Sequence, residues 1–202
     1  MAPELRSSRT TPWSQWDLGE LRTAPNLLSL LRILLVPAFL ATYLAGEVAV
    51  AAVVFAVAAA SDLLDGMLAR LLRQRTALGA ILDPTADKLL GLSALAALVA
   101  KGALPAWLLV LSLTRDLVVV AVAVAARWEG ARLPTSPTRI GKYATFFTNT
   151  AVVLALIGEI SYAPLVAGYA FATAVIAAEC LVVAAAQYAG RYAARETSAG
   201  EP

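Results

Sequence analysis

The sequence predicts an all-α integral membrane protein: six transmembrane helices preceded by a short N-terminal interfacial helix. Three observations predict it. Hydrophobic residues fill 60% of the 202 positions and charged ones 15%, with a mean hydropathy of +0.74, far from what a water-facing surface requires. Six stretches approach the roughly 20 apolar residues that a bilayer crossing takes. Their apolar residues do not alternate with period two, so helices fit and a barrel does not. The composition also excludes chemistries. There is no histidine to act as base or metal ligand, and Cys180 alone forms neither an intrachain disulfide nor a thiolate zinc cluster. A net charge of +2 is too small to point to nucleic acid.

Taken in order, residues 1–24 are polar and do not read as a cleaved signal peptide. Trp13 and Trp16 stand three apart in TPWSQWDLGEL, with Leu21 further on, which suits a short helix lying flat on the inner membrane surface. The spans are expected at 26–45, 48–70, 83–101, 104–127, 141–160 and 164–189, within a membrane domain covering 25–190, with a tail at 191–202. Glycine and proline mark the breaks at Gly46, Gly79, Gly102, Pro105, Pro134, Pro137 and Pro164. Twelve basic residues fall on one side: Arg6, Arg9, Arg22, Arg70, Arg73, Arg75, Arg127, Arg132, Arg139, Lys142, Arg191 and Arg195. The other side has Lys101, so both termini are expected in the cytoplasm. Trp107 and Trp128 then fall near the outer and inner boundaries, where amphipathic rings settle.

Charges inside a bilayer cost a few kcal/mol each and point to function. Span 1 places Asn26, Ser29 and Arg32 in one stripe on a helix that Pro25 opens. Asn26 reads as a helix cap or a substrate contact, and Arg32 as a contact to substrate phosphate or to an acidic cluster. That cluster comes from SDLLDGMLARLLRQRTALGAILDPTADKLL. Asp62 and Asp65 are three apart and Asp83 and Asp87 four apart, so each pair shares a helix face. The short connection makes spans 2 and 3 antiparallel neighbours and brings both pairs to one depth. Four converging carboxylates would repel and protonate unless cations neutralise them. All-oxygen ligation favours Mg²⁺ or Mn²⁺, with room for two ions. Gly66, Ala69 and Gly79 either leave a bare face for a ligand or pack helices. Arg70 and Lys88 suit phosphate oxygens, while Arg73 and Arg75 read as topology signals. Asp83 before Pro84 also reads as a helix N-cap.

In span 4, Arg115 and Asp116 form either a self-contained ion pair or a phosphate-binding arginine oriented by its neighbour. Arg139 and Lys142 flank Gly141 where span 5 begins, either as topology charge or as a phosphate site at a helix N-terminus. Glu179 lies deep in span 6, facing Arg115, Arg32 or a subunit interface.

The pattern Asp62-x-x-Asp65-Gly66-x-x-Ala69-Arg70, eight residues, Gly79, three residues, Asp83, three residues, Asp87 matches every fixed position of the CDP-alcohol phosphatidyltransferase signature. The chain therefore resembles that family, and its six-span layout resembles the family's architecture. The resemblance implies a bacterial-type plasma-membrane enzyme with a cytoplasmic active site, assembled as a homodimer. An alcohol hydroxyl would displace CMP from CDP-diacylglycerol. It further implies that Asp62, Asp65 and Asp83 ligate metal, that Asp87 is the general base and also touches a second metal, and that Asp62, Gly66, Ala69, Arg70 and Gly79 line the nucleotide site. Arg32, Arg115, Arg139 and Lys142 are the candidates for binding acceptor phosphate. Gly141, Lys142 and Thr145 resemble the branch that uses glycerol-type acceptors. Arg115-Asp116 is similar to the cardiolipin synthases that use CDP-diacylglycerol, whereas phosphatidylglycerophosphate synthases generally carry Arg-Glu. The acceptor thus lies between phosphatidylglycerol, slightly favoured, and glycerol 3-phosphate, with inositol phosphate and serine less similar. A cation-coupled transporter is the competing reading of the membrane carboxylates. It would show paired halves, which this charge pattern lacks.

Overall fold

Leu-, Ala- and Val-rich segments with glycine or proline only near their ends form helices, and in the computed structural model every regular element among the described residues, 23–71, 76, 78–128 and 138–199, is one. The elements are α1 (Ala24–Leu44), α2 (Val48–Leu71), α3 (Gly79–Ala100), α4 (Ala106–Trp128), α5 (Arg139–Ser161) and α6 (Pro164–Ala199). Each covers one expected span. The expected interfacial helix around Trp13 and Trp16 falls outside the described residues.

The breaks are chemical. Gly46 between α1 and α2 and Gly102 between α3 and α4 have φ of +92° and +79°, a region that costs an L side chain strain. Tyr162 closes α5 in the same left-handed region, at φ 51°. Thr138 caps α5, its hydroxyl accepting from Gly141 N at 3.0 Å.

The start of α3 corrects one expectation. Asp83 is not a cap, because the helix is already under way at Gly79. Thr76 does the capping: Gly79 N donates to its Oγ1 at 2.9 Å and Ala80 N to its carbonyl at 3.2 Å. Pro84 therefore sits inside α3 and denies the Ala80 carbonyl its usual donor. The far end of α6 differs too, running to Ala199, ten residues past the expected end of its span.

Among the described residues, four segments are long and apolar enough to cross a membrane: Asn26–Leu44, Ala106–Trp128, Arg139–Ser161 and Pro164–Gly190. The apolar part of α2, Val48–Ser61, is shorter, and α3 carries Asp83, Asp87 and Lys88. Large apolar side chains face outward along the helices, Leu117 and Leu165 each 70% exposed. The chain is a multi-pass membrane protein.

Its contacts divide it into two units, residues 1–37 with 55–90, and residues 38–54 with 91–202. The first holds the start of α1, the end of α2 and the start of α3. In the second, α6 packs on α5 and α4. Small residues make that packing close: Ala144, Ala151, Ala155 and Gly158 on α5, and Ala170, Ala174, Ala177 and Ala184 on α6, are all buried. In a bilayer, where lipid is as apolar as leucine, helices associate through such close approach rather than by expelling water. Trp107 meets Phe171 edge-on, with centroids 6.2 Å apart, and Trp128 ends α4 fully outward.

Candidate active site

The polar stripe of α1 meets the polar positions of α3 in sequence. Asn26 Nδ2 donates to Thr76 Oγ1 at 2.9 Å, the hydroxyl that caps α3. Ser29 Oγ donates to Asp83 Oδ1. Arg32 Nη1 forms an ion pair with Asp87 Oδ1. From Ser29 to Arg32 on α1 and from Asp83 to Asp87 on α3 each step advances about one turn, so the two segments run the same way. Asn26, Ser29 and Arg32 are 2%, 0% and 0% exposed. A buried guanidinium is tolerable only with partners that replace its water. Arg32 has a second one: its Nε donates to the Ala58 carbonyl on α2 at 3.3 Å.

Gly79, the first residue of α3, is buried beside Asn26 of α1. A Cβ there would come within 2.5 Å of Asn26 Oδ1 and 3.0 Å of Thr76 Oγ1. The immediate reason for glycine is thus the approach of Asn26.

Asp62, Asp65, Gly66, Ala69 and Arg70 occupy the last three turns of α2, just beyond the Ala58 carbonyl. Their side chains lie outside the described residues. Among the described residues, no three His, Cys, Asp or Glu side chains gather around one point. Asp83 and Asp87 stand one turn apart on α3, and Asp87 keeps 49% of its side chain exposed while paired. A half-exposed carboxylate one turn from another, with oxygen the only donor type, fits a hard divalent ion. Lys88 is exposed beside it.

The second unit holds the other basic residues. Arg115 Nη1 pairs with Asp116 Oδ1 at 2.9 Å, so the self-contained ion pair exists. The guanidinium also overlies the first turn of α5, where a Cβ on Gly141 would come within 2.8 Å of Arg115 Nη2 and 3.1 Å of Thr138 Oγ1. Arg139 and Lys142 are exposed on that turn. One arginine, two further basic residues and a helix N-terminus therefore share a small region, a combination that attracts anions.

Arg32 and Arg115 each pair with an aspartate, and Glu179 is exposed on α6. A third polar group went unnoticed in the sequence. Tyr43 is fully buried, Lys101 Nζ donates to its carbonyl at 2.7 Å and sits 5.0 Å from its ring, and the Glu159 carboxylate lies beside its hydroxyl. Glu159, near the end of a long apolar helix, was the one available signal.

Comparison with known proteins accords with this arrangement. The CDP-alcohol phosphatidyltransferase family profile matches residues 22–186. The cardiolipin synthase (CMP-forming) of Streptomyces coelicolor is 38% identical over 160 residues, 74% of each chain. A Mycobacterium tuberculosis protein named "Probable phosphatidylglycerophosphate synthase" is 41% identical over 150 residues, 70% of each. The CDP-diacylglycerol--glycerol-3-phosphate 3-phosphatidyltransferase of Pseudomonas fluorescens is 50% identical over 78 residues, 37% of this chain and 40% of the relative.

Proposed function

The chain belongs to the CDP-alcohol phosphatidyltransferase family, and from that membership we propose that it transfers the phosphatidyl group of CDP-diacylglycerol to the hydroxyl of phosphatidylglycerol, releasing CMP and forming cardiolipin. A transferase of phospholipid biosynthesis takes the place of the transporter reading. The observation that carries the proposal is the polar ladder joining α1 to α3, which stations Asp83 and Asp87 at defined places inside a membrane helix. Carboxylates are costly within a membrane helix, and ones held by partners there are kept for chemistry.

In this reading Asp62, Asp65, Asp83 and Asp87 hold one or two Mg²⁺ or Mn²⁺ ions. The bound metal would neutralise charge on the pyrophosphate oxygens and on the departing CMP. Asp87 takes the proton from the acceptor hydroxyl as its oxygen attacks phosphorus; with no histidine in the chain, a carboxylate is the natural base. Asp62, Gly66, Ala69, Arg70 and Gly79 receive the nucleotide. Arg115, Arg139 and Lys142 bind the acceptor's phosphate, and Asp116 keeps the Arg115 fork oriented. Six membrane crossings leave both termini and the site on the cytoplasmic face, and two copies form the working dimer.

Glycerol 3-phosphate is the second reading, favoured by the names of the phosphatidylglycerophosphate-forming relatives. Product analysis decides between them. Purified chain is supplied with CDP-diacylglycerol, a divalent ion, and phosphatidylglycerol, glycerol 3-phosphate, inositol phosphate or serine in parallel. Cardiolipin formed only with phosphatidylglycerol is the expected outcome, and phosphatidylglycerophosphate from glycerol 3-phosphate selects the alternative.

A further inference from the structure

We infer that Arg32 is a positioning residue for the reaction, a clamp that fixes the Asp87 carboxylate of α3 against the backbone of α2. The inference rests on the reading of Asp87 as the base. Three observations converge on it. Arg32 has no exposed surface, so in this arrangement it offers no face to a substrate phosphate. Its two ends go to different helices, Nη1 to Asp87 on α3 and Nε to the Ala58 carbonyl on α2. The Ala58 carbonyl also accepts from Ser61 Oγ at 2.7 Å, one residue before Asp62, so the anchor lies at the base of the α2 acid pair.

Geometry makes arginine the residue for this task. Its planar fork bonds two acceptors at a fixed angle, which a lysine ammonium on a flexible stem does not do. A half-exposed Asp87 held less firmly would sample more rotamers, and displacement of a reacting group by about 1 Å costs on the order of 10²-fold in rate. Arg32 is itself fully buried, so its loss is expected to act on turnover rather than on substrate affinity.

The test uses the full chain in detergent, comparing Arg32→Gln and Arg32→Lys with wild type. Mn²⁺ binding is read by electron paramagnetic resonance of the free ion, alongside kcat, both KM values and thermal unfolding. Arg32→Gln is expected to lower kcat about 10²-fold, with Mn²⁺ binding and both KM values within about threefold of wild type. Arg32→Lys recovers part of kcat. Adding Arg32→Gln to Asp87→Asn costs less than the product of the two single losses, because part of what Arg32 does is to hold the Asp87 carboxylate. A KM for either substrate that rises as kcat falls would make Arg32 a substrate ligand and overturn the inference. So would loss of Mn²⁺ binding in step with loss of folded protein, or full additivity in the double variant. If Arg32→Gln does not fold, Arg32→Lys decides by the same kcat and KM comparison. Variants that turn over like wild type defeat this inference alone, whereas a wild-type chain that releases no CMP defeats the proposed function beneath it.

Discussion

At Gly79 one missing methyl decides how closely two helices meet. The amide of Asn26 occupies the space a Cβ would need and bonds the threonine that starts α3. Gly79→Ala is therefore expected to destabilise the protein by about 1–3 kcal/mol, the usual range for overpacking, measured by unfolding in detergent. Combining it with Asn26→Ser is expected to restore part of the loss by shortening the clashing side chain. Equal stability of Gly79→Ala and wild type would show that α1 moves away freely. The sequence marks this glycine only as a ligand-facing or packing position. Its true neighbour stands 53 residues away, a tertiary fact that spacing along one helix does not contain. The partner of Ser29 is hidden for the same reason, since a polar stripe does not say what meets it, whereas Arg32 meets the acidic cluster the sequence offered, at Asp87.

Among the elements, five of the six helices start within two residues of their expected spans, because apolar runs bounded by glycine and proline leave little choice. The exception is α3. Asp83-Pro84 reads as a cap followed by the first helical residue, while the real cap, Thr76, sits in a polar connection with no apolar periodicity around it. The outcome places Asp83 and Asp87 on consecutive turns of one continuous helix. For α5, Thr138 caps the first turn and Arg115 arrives there from α4. Replacing Arg139 and Lys142 together by glutamine is expected to raise the acceptor KM about tenfold or more, the loss of one charge-assisted bond or two, leaving the CDP-diacylglycerol KM unchanged. Steady-state kinetics checks this; an unchanged acceptor KM would return both residues to a topological role.

For the whole molecule, composition alone establishes a membrane protein, since a chain 60% hydrophobic cannot bury that surface within itself. Charges inside the membrane segments complicate the count of crossings: α3 carries Asp83, Asp87 and Lys88 within about one turn and a half of helix. The twelve-to-one distribution of basic residues supplies the orientation instead. Labelling tests it. With Cys180 replaced by serine, single cysteines at Glu47 and Tyr162 are expected to react with an impermeant maleimide from the outside of intact cells, and a cysteine at Arg127 only after permeabilisation. Uniform labelling of all three from outside would contradict six crossings with cytoplasmic termini. The four aspartates of the catalytic proposal occupy a narrow part of the protein, the end of α2 and the start of α3.

CMP release from CDP-diacylglycerol with an acceptor present, followed in wild type and Asp87→Asn with and without a chelator, tests the account most directly. Wild type is expected to release CMP only with Mg²⁺ or Mn²⁺ present. Asp87→Asn should lose roughly 10²–10⁴-fold in turnover, the contribution of a general base, while still binding CDP-diacylglycerol. Wild-type turnover that ignores the chelator, or an Asp87→Asn chain that turns over normally, would contradict it.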